Sequence, residues 1–229
     1  MLSRFSLLVL VFLGFQIQTS SAQSSHFSGD LSFGIGDKVS VFAASINRSH
    51  TLLNEKLVLG YGFRVNLHSG KEQTFVTAPF EYTKEDLLDS LTTTKNSVIA
   101  MNFGVHAGYS ITPKLMLGFN IDVIGFSFGG NDEIAGLRYS AEFPDNAFMG
   151  AITQTKPTGM NVLLVGDNDI GNLNSEFYAR YMLTDNLGVR AGLSMFFAEL
   201  TTTDAEGFDG NDRFRNKISY PFVAVTLKL

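Results

Sequence analysis

The 229-residue chain contains no cysteine, and this absence removes several kinds of chemistry at once. There can be no disulfide framework, no thiolate metal site and no cysteine nucleophile. A lipid anchor on an N-terminal cysteine is excluded for the same reason. The fold must therefore be held together by non-covalent contacts alone.

Charged residues are also scarce. They make up 17% of the chain, against about 25% in ordinary soluble domains. The formal net charge of -5 argues against a nucleic-acid partner. Phenylalanine (21 residues) and glycine (22 residues) are abundant. This composition favours a chain with much apolar surface and tight backbone packing.

Long apolar runs are missing beyond the first 22 residues, which predict a secretory signal cleaved near Ala22. Arg4 supplies the positive charge, residues 5–15 form the apolar run, and residues 20–22 are small. The apolar run is too short for a membrane-anchoring helix, which needs about 20 apolar residues. We therefore divide the chain into a signal peptide, residues 1–22, and one β-barrel domain, residues 23–229.

The rest of the chain alternates with a period of two, which predicts β-strands that have two unlike faces. In residues 57–68 the odd-numbered positions are apolar, and the even-numbered positions are mostly small or polar. Clear alternation also covers residues 99–111, 115–123 and 187–197, and weaker alternation covers 27–35, 39–48, 173–183 and 213–229. These segments predict eight strands; residues 160–165 could add another, so ten strands stay possible.

The connections between the predicted strands alternate in length, as in an up-and-down barrel with short turns at one end. Short links lie at residues 112–114 and 184–186, and a tight turn is expected at Gly36 and Asp37. Long links cover residues 69–96, 130–172 and 202–212. Near Ile124 the alternation slips by one residue, which predicts a β-bulge.

Alternation alone does not say whether the apolar face points outward to lipid or inward, as in a soluble lipocalin-like barrel. The polar face consists mainly of Gly, Ser, Ala and Asn, and it has almost none of the long charged side chains of a water-facing exterior. Small side chains suit the narrow lumen of an eight-stranded barrel. We therefore expect a transmembrane barrel with its apolar face outward.

Five aromatic residues fit the two interfaces of such a barrel, where aromatic rings are favoured. Tyr109 and Tyr181 lie two residues from the short turns, whereas Phe126, Phe128 and Phe197 lie far above them. The two rows are separated by roughly 20–25 Å, close to the height of the lipid-facing band. We predict that these residues form an aromatic girdle.

Charged residues on the polar face predict the contents of the lumen. The short turn at 184–186 places Arg180 directly opposite Arg190, where like charges repel. Glu176 and Asp122 are the available acids, and Arg64 adds a third cation. We predict a network of these five residues that plugs the lumen; the alternative is a water-filled lumen lined by unlinked polar groups.

Two acidic segments and two histidines are candidate sites. Residues 167–171 (DNDIG) are rich in oxygen ligands but lack the spacing of an EF-hand, and Asp204, Glu206, Asp209 and Asp212 form a second acidic loop. We interpret both as solvated loop acids and expect no metal and no cofactor. His106, expected opposite Asn120, and His68 are the candidates for a hydrolase, the alternative to a non-catalytic barrel.

Residues 118–130 (GFNIDVIGFSFGG), 156–183 (KPTGMNVLLVGDNDIGNLNSEFYARYML) and 211–217 (NDRFRNK) resemble uncharacterised small outer-membrane β-barrel proteins of Gram-negative bacteria, a porin-like group. The resemblance covers most of the chain after the signal. It implies a barrel fold and an outer-membrane location, and it implies no ligand, reaction or site residue. One departure is the terminal Leu229, where Phe is usual in outer-membrane barrels.

Together these observations predict a monomeric eight-stranded outer-membrane barrel with a structural or surface-interaction role, exerted through residues 69–96 and 130–172. No catalytic residue is assigned. The expected partners are outer-membrane lipids and the barrel-assembly machinery, with no nucleic acid. The alternatives are a small passive pore and an outer-membrane lipid-modifying enzyme or protease.

Overall fold

The computed structural model describes residues 24–78, 89–129, 132–138, 152–164, 168–203 and 211–229. These residues form eleven β-strands in one antiparallel sheet. The strands are β1 (Ser25–Gly36), β2 (Val39–Leu52), β3 (Leu57–Thr77), β4 (Ser90–Ser110), β5 (Leu115–Phe128), β6 (Asp132–Arg138), β7 (Ile152–Pro157), β8 (Met160–Val162), β9 (Leu173–Met182), β10 (Leu187–Thr202) and β11 (Arg213–Lys228). No helix among the described residues is long and apolar enough to cross a membrane.

Eight long strands close into a barrel, in the order β1-β2-β3-β4-β5-β9-β10-β11. The ring closes where β1 pairs with β11, from Ser28 opposite Lys228 to Gly34 opposite Phe222. The short links between β2 and β3, β4 and β5, and β9 and β10 all lie at one end, which we call the short-turn end. The prediction of an up-and-down, eight-stranded antiparallel barrel is confirmed.

The strand register follows the parity that the sequence indicated. Arg190 pairs with Arg180, and His106 pairs with Asn120. The register of β4 against β5 shifts between Phe103 and Gly104, so that one residue of β5 is left over beside Ile124. The predicted β-bulge is therefore confirmed.

Above the eight-stranded ring the barrel narrows to six strands, which the sequence did not predict. The β1–β2 hairpin ends at Gly36 and Val39, and above it β11 pairs directly with β3, with Phe214 opposite Thr77. On the other side β6 pairs with β4, and β7 pairs with both β6 and β10. A second, smaller ring of β3, β4, β6, β7, β10 and β11 thus closes the far end.

The predicted bounds of two long loops were therefore wrong. The segment 69–96 was expected to be a loop, but β3 continues to Thr77 and β4 begins at Ser90. The segment 130–172 was also expected to be a loop, yet it contains β6, β7 and β8. These parts lack the apolar alternation of the lower strands, because the outer face no longer needs to be uniformly apolar above the eight-stranded ring.

The ten-strand alternative is wrong for the main ring. β8, which falls in the segment 160–165, is three residues long and pairs with residues 124–126 of β5. It lies beside the upper part of β5, where β5 and β9 are no longer paired with each other. The short strand widens the wall there without adding a full-length strand to the barrel.

The apolar side chains of the lower strands face outward. Leu193, Phe177 and Val223, on three adjacent strands, are each 61–62% exposed. Their neighbours of opposite parity, Ser194 and Glu176, are buried in the lumen. An apolar exterior of this extent is unfavourable in water. It is typical of a surface that contacts lipid. The outward orientation expected from the sequence is confirmed.

Candidate functional site: the barrel lumen

A buried charge network occupies the lumen of the eight-stranded ring. Nη1 of Arg64, on β3, is 3.1 Å from Oε1 of Glu176. Nε of the same arginine donates a hydrogen bond of 3.1 Å to Oδ1 of Asp122. Arg190, on β10, lies 3.6 Å from the other oxygen of Glu176 and 3.8 Å from Asp30 Oδ1. Side chains from several strands are therefore joined in one linked set of opposite charges.

Asp122 is the most heavily bonded acid of this network. Besides Arg64, its carboxylate accepts hydrogen bonds from Asn102 Nδ2 at 2.8 Å and from the backbone N–H of Asn174 at 3.0 Å. The residue is 1% exposed. A buried carboxylate is tolerated when its lone pairs are used in this way. Asp122 thus ties β5 to β3, β4 and β9.

Arg180 was predicted to belong to the network, but the structure places it outside. Within the described part of the chain, its guanidinium makes one hydrogen bond, from Nη2 to the sulfur of Met116 at 3.3 Å. Its Nε is buried and has no partner among the described residues. Asp30 and Glu176 lie within ion-pair distance of Arg190 instead, and Arg180 lines a cavity at the short-turn end.

Asp30 is a member of the network that the sequence did not single out. Its carboxylate accepts hydrogen bonds from Asn47 Nδ2 at 2.7 Å and from the hydroxyl of Thr226 at 2.5 Å. These contacts join β1 to β2 and to β11. The sequence did contain a signal for Asp30, because it is one of the even-numbered, polar positions of β1. The alternation in that strand was weak, however.

A second ion cluster lies near the far end and was also missed. Glu199 on β10 faces Arg215 on β11, with 2.7 Å between Oε2 and Nη2, and Arg213 Nε donates to Glu199 Oε1 at 2.8 Å. Both arginines also donate to the backbone carbonyl of Asp169. Glu199 is completely buried, although the odd-numbered residues of β10 lie on the outer face. The cluster therefore fastens the chain before β9 to the barrel wall.

The narrower six-stranded ring is filled by apolar side chains, which we call the apolar cap. Its largest members are less than 2% exposed, and they are Phe75, Leu91, Phe196, Leu200 and Phe214. They come from four strands of the upper ring. Close packing of such side chains leaves little space for water. The cap thus covers the charge network on the side away from the short turns.

The two histidines considered for catalysis lie in different parts of the lumen. His106 Nε2 is 3.0 Å from the hydroxyl of Ser49, which is 2% exposed. His68 is stacked on Phe196 of the apolar cap, with 5.0 Å between ring centroids, and neither of its ring nitrogens has a partner among the described residues. The structure does not bring the two into one site.

The predicted aromatic girdle residues occupy the outer surface at two heights. Tyr109 and Tyr181 are exposed beside the short turns, and Phe126 and Phe128 are exposed near the upper end of β5. Phe197 is only half-buried on the wall, where the ammonium of Lys217 lies 5.4 Å from its ring centroid. Phe197 therefore sits at a boundary where the apolar exterior meets charged side chains.

Most of the acids in the two acidic segments fall outside the described residues, namely Asp167, Asp204, Glu206 and Asp209. Asp169 is described, and its Oδ1 accepts a hydrogen bond from the backbone N–H of Leu164 at 2.7 Å. In the described part of the chain, no group of three or more His, Asp or Glu side chains could hold a metal ion.

No protein-family model matches the chain, and no curated protein is similar to it in sequence. Among solved structures, Neisserial surface protein A is 8% identical, with a TM-score of 0.41, over 91% of this chain and all of that one. Ail of Yersinia pestis, solved with the heparin analogue sucrose octasulfate, is 10% identical with a TM-score of 0.39, again over 91% of this chain and all of that one. A de novo designed transmembrane β-barrel is 9% identical with a TM-score of 0.33, over 93% of this chain and all of that one. The chain's own strand pairing, rather than these similarities, establishes the eight-stranded antiparallel β-barrel.

Proposed function

We propose that the chain is a monomeric integral protein of the bacterial outer membrane whose lumen is closed to ions and solutes. Its role is structural, or it interacts with partners through the chain at the far end of the barrel. The observation that carries this proposal is the filled lumen, in which the charge network and the apolar cap lie one above the other.

The outer surface supports the membrane location. A β-sheet can cross a bilayer only when it is closed, because every backbone N–H and C=O must be paired inside the hydrocarbon region. The pairing of β1 with β11 closes this sheet, and the exposed apolar residues of the wall provide the contact with lipid. The closed wall also leaves no long free edge in the lower ring to which a second copy could add a strand.

The two layers of the plug favour a closed barrel over a passive pore. Arg64 on β3 reaches across the interior to Glu176 on β9, and Arg190 on the neighbouring strand β10 contacts the same carboxylate, so these side chains occupy space that a pore would need. The voids beside these residues measure about 20 Å³ each, which is room for about one water molecule. An ion passing through would have to break several buried ion pairs.

Planar-bilayer recording of the purified chain tests the closed lumen. We expect no conductance steps above the lipid background, whereas a general porin reconstituted in the same way supplies the positive control. A liposome-swelling assay with small sugars should likewise show no uptake. Steady conductance carried by the wild-type chain would overturn the closed lumen and support the passive pore.

The membrane location has a separate test. Fractionation of a Gram-negative host that expresses the full-length chain should place it with outer-membrane markers, resistant to extraction by alkaline carbonate. Recovery of the mature chain in the soluble periplasmic fraction would contradict the proposal. That result would leave the fold class unchanged, but it would contradict the contact between lipid and the exposed apolar residues of the wall.

A further inference from the structure

A cavity of about 650 Å³ opens at the short-turn end, below the charge network. Its walls come from the lower ends of β1, β2, β3, β4, β9 and β11 and from the links at residues 54–56, 111–114 and 183–185. Small-molecule sites in proteins usually measure about 300–1,000 Å³. The cavity is therefore large enough for a small solute that arrives from the short-turn side.

Arg180 lines this cavity and lacks the partners that a half-buried guanidinium needs. A guanidinium carries five N–H donors, and a thioether sulfur is a weak acceptor. The structure gives Arg180 that one acceptor, the sulfur of Met116, and leaves its buried Nε without any. No carboxylate among the described residues lies within ion-pair distance of it. Buried donors without acceptors are unfavourable, so an acceptor from outside is favoured.

The register explains why this arginine is left over. Arg180 and Arg190 lie directly opposite each other on β9 and β10. Arg190 interacts with Asp30 and Glu176, and its guanidinium also lies over the ring of Tyr178 at 4.5 Å. These two acids therefore interact with Arg190, and neither forms an ion pair with Arg180. Repulsion from Arg190 favours an orientation of Arg180 away from the network.

The rest of the lining also suits an anion. The lysines and arginine that line the cavity are Lys56, Lys114, Arg180 and Lys228, against the acids Glu55 and Asp185, which gives an excess of two positive charges. The hydroxyl group of Ser28 adds a hydrogen-bond donor to the lining. A recess whose net charge is positive concentrates anions.

We propose that this cavity is a binding site for an oxyanion, the carboxylate or phosphate group of a small solute, and that Arg180 is its main ligand. The planar guanidinium binds both groups through two parallel hydrogen bonds, which Lys cannot do. The inference does not depend on whether the lumen conducts, because the cavity lies on one side of the plug.

Nuclear magnetic resonance on the full mature chain tests the site. The ¹⁵N-labelled protein, in maltoside micelles that contain no phosphate, is titrated with sodium phosphate or sodium acetate at constant ionic strength. We expect a saturable shift of the Arg180 Nε–H resonance with at least one of the two anions. The backbone amide resonances of residues 183–185, which line the cavity, report the affinity in the variants. Arg180→Gln should weaken binding at least tenfold, and Arg180→Lys should weaken it less, because Lys keeps the charge but lacks the planar guanidinium.

Arg48→Gln is the matched control. Arg48 lies on β2 near the same end of the barrel, and its buried Nε also lacks a partner, but its guanidinium packs over Phe27 on the outer wall. This variant should bind the anions as the parent does. Two results would overturn the proposal: a response to both anions no larger than that to sodium chloride, or equal affinity in a folded Arg180→Gln or Arg180→Lys variant. A shift with phosphate alone would identify a phosphate site, and a shift with acetate alone a carboxylate site.

Discussion

Neutralising Asp122 is the sharpest test of the charge network. Asp122→Asn keeps the shape of the side chain but removes the charge that Arg64 contacts at 3.1 Å. It also turns an acceptor into an amide donor that meets the donors of Asn102 and Asn174. Breaking one side of a buried ion pair costs about 3–5 kcal/mol. Because Arg64 keeps Glu176, we expect a loss near the lower figure, about 3 kcal/mol.

Reversible urea unfolding in lipid vesicles, followed by far-ultraviolet circular dichroism, measures this loss. Asp185→Asn is the control, since Asp185 is an exposed acid in the turn between β9 and β10, and it should change the free energy of unfolding by less than about 0.5 kcal/mol. A double-mutant cycle with Arg64→Met should show that the two losses are not additive. A folded Asp122→Asn variant as stable as the wild type would mean that the charge network does not stabilise the barrel.

Three further predictions concern other parts of the molecule. Leu193→Lys puts a charge on the lipid face and should cost about 2–4 kcal/mol in the same vesicle assay, an expectation that fails if lipid-free and vesicle-bound stabilities change equally. Glu199→Gln leaves Arg213 and Arg215 without their shared carboxylate, so limited proteolysis should cut the chain before β9 faster than in the wild type. Gly192→Ala would place a methyl carbon far inside contact distance of the backbone oxygen of Phe177 on β9, so the yield of refolded barrel measured by gel mobility should fall sharply, and unchanged folding would contradict that close approach.

The local parts of the fold could be predicted from the sequence because alternation is a local signal. Parity on either side of a three-residue turn was enough to place Arg180 opposite Arg190, and the slip near Ile124 was enough to place the bulge. The same parity predicted that Arg64, Asp122 and Glu176 face the lumen together with Arg190. It could not show that Arg180 would be left out, because that depends on how side chains from several strands share the acids of the lumen.

The upper ring could not be predicted because it depends on contacts between distant segments. The pairing of β3 with β11 forms only because the β1–β2 hairpin stops at Gly36 and Val39, below the ends of its neighbours. The cluster around Glu199 is similar, since it depends on a backbone carbonyl that the chain before β9 brings to the barrel wall. No spacing in the sequence encodes either contact.

Spin labels along one strand test most directly whether the apolar face of each strand contacts hydrocarbon while the polar face lines a closed lumen. Since the chain has no cysteine, single cysteines can be introduced at each position from 187 to 197 of β10 and labelled with a nitroxide without background. Paramagnetic resonance in vesicles then measures the accessibility of each label to oxygen, which concentrates in lipid, and to a water-soluble nickel chelate. We expect oxygen accessibility to peak at odd positions such as Leu193 and Met195 and to be low at even positions such as Ser194. High oxygen accessibility at the even positions, or no alternation at all, would contradict it.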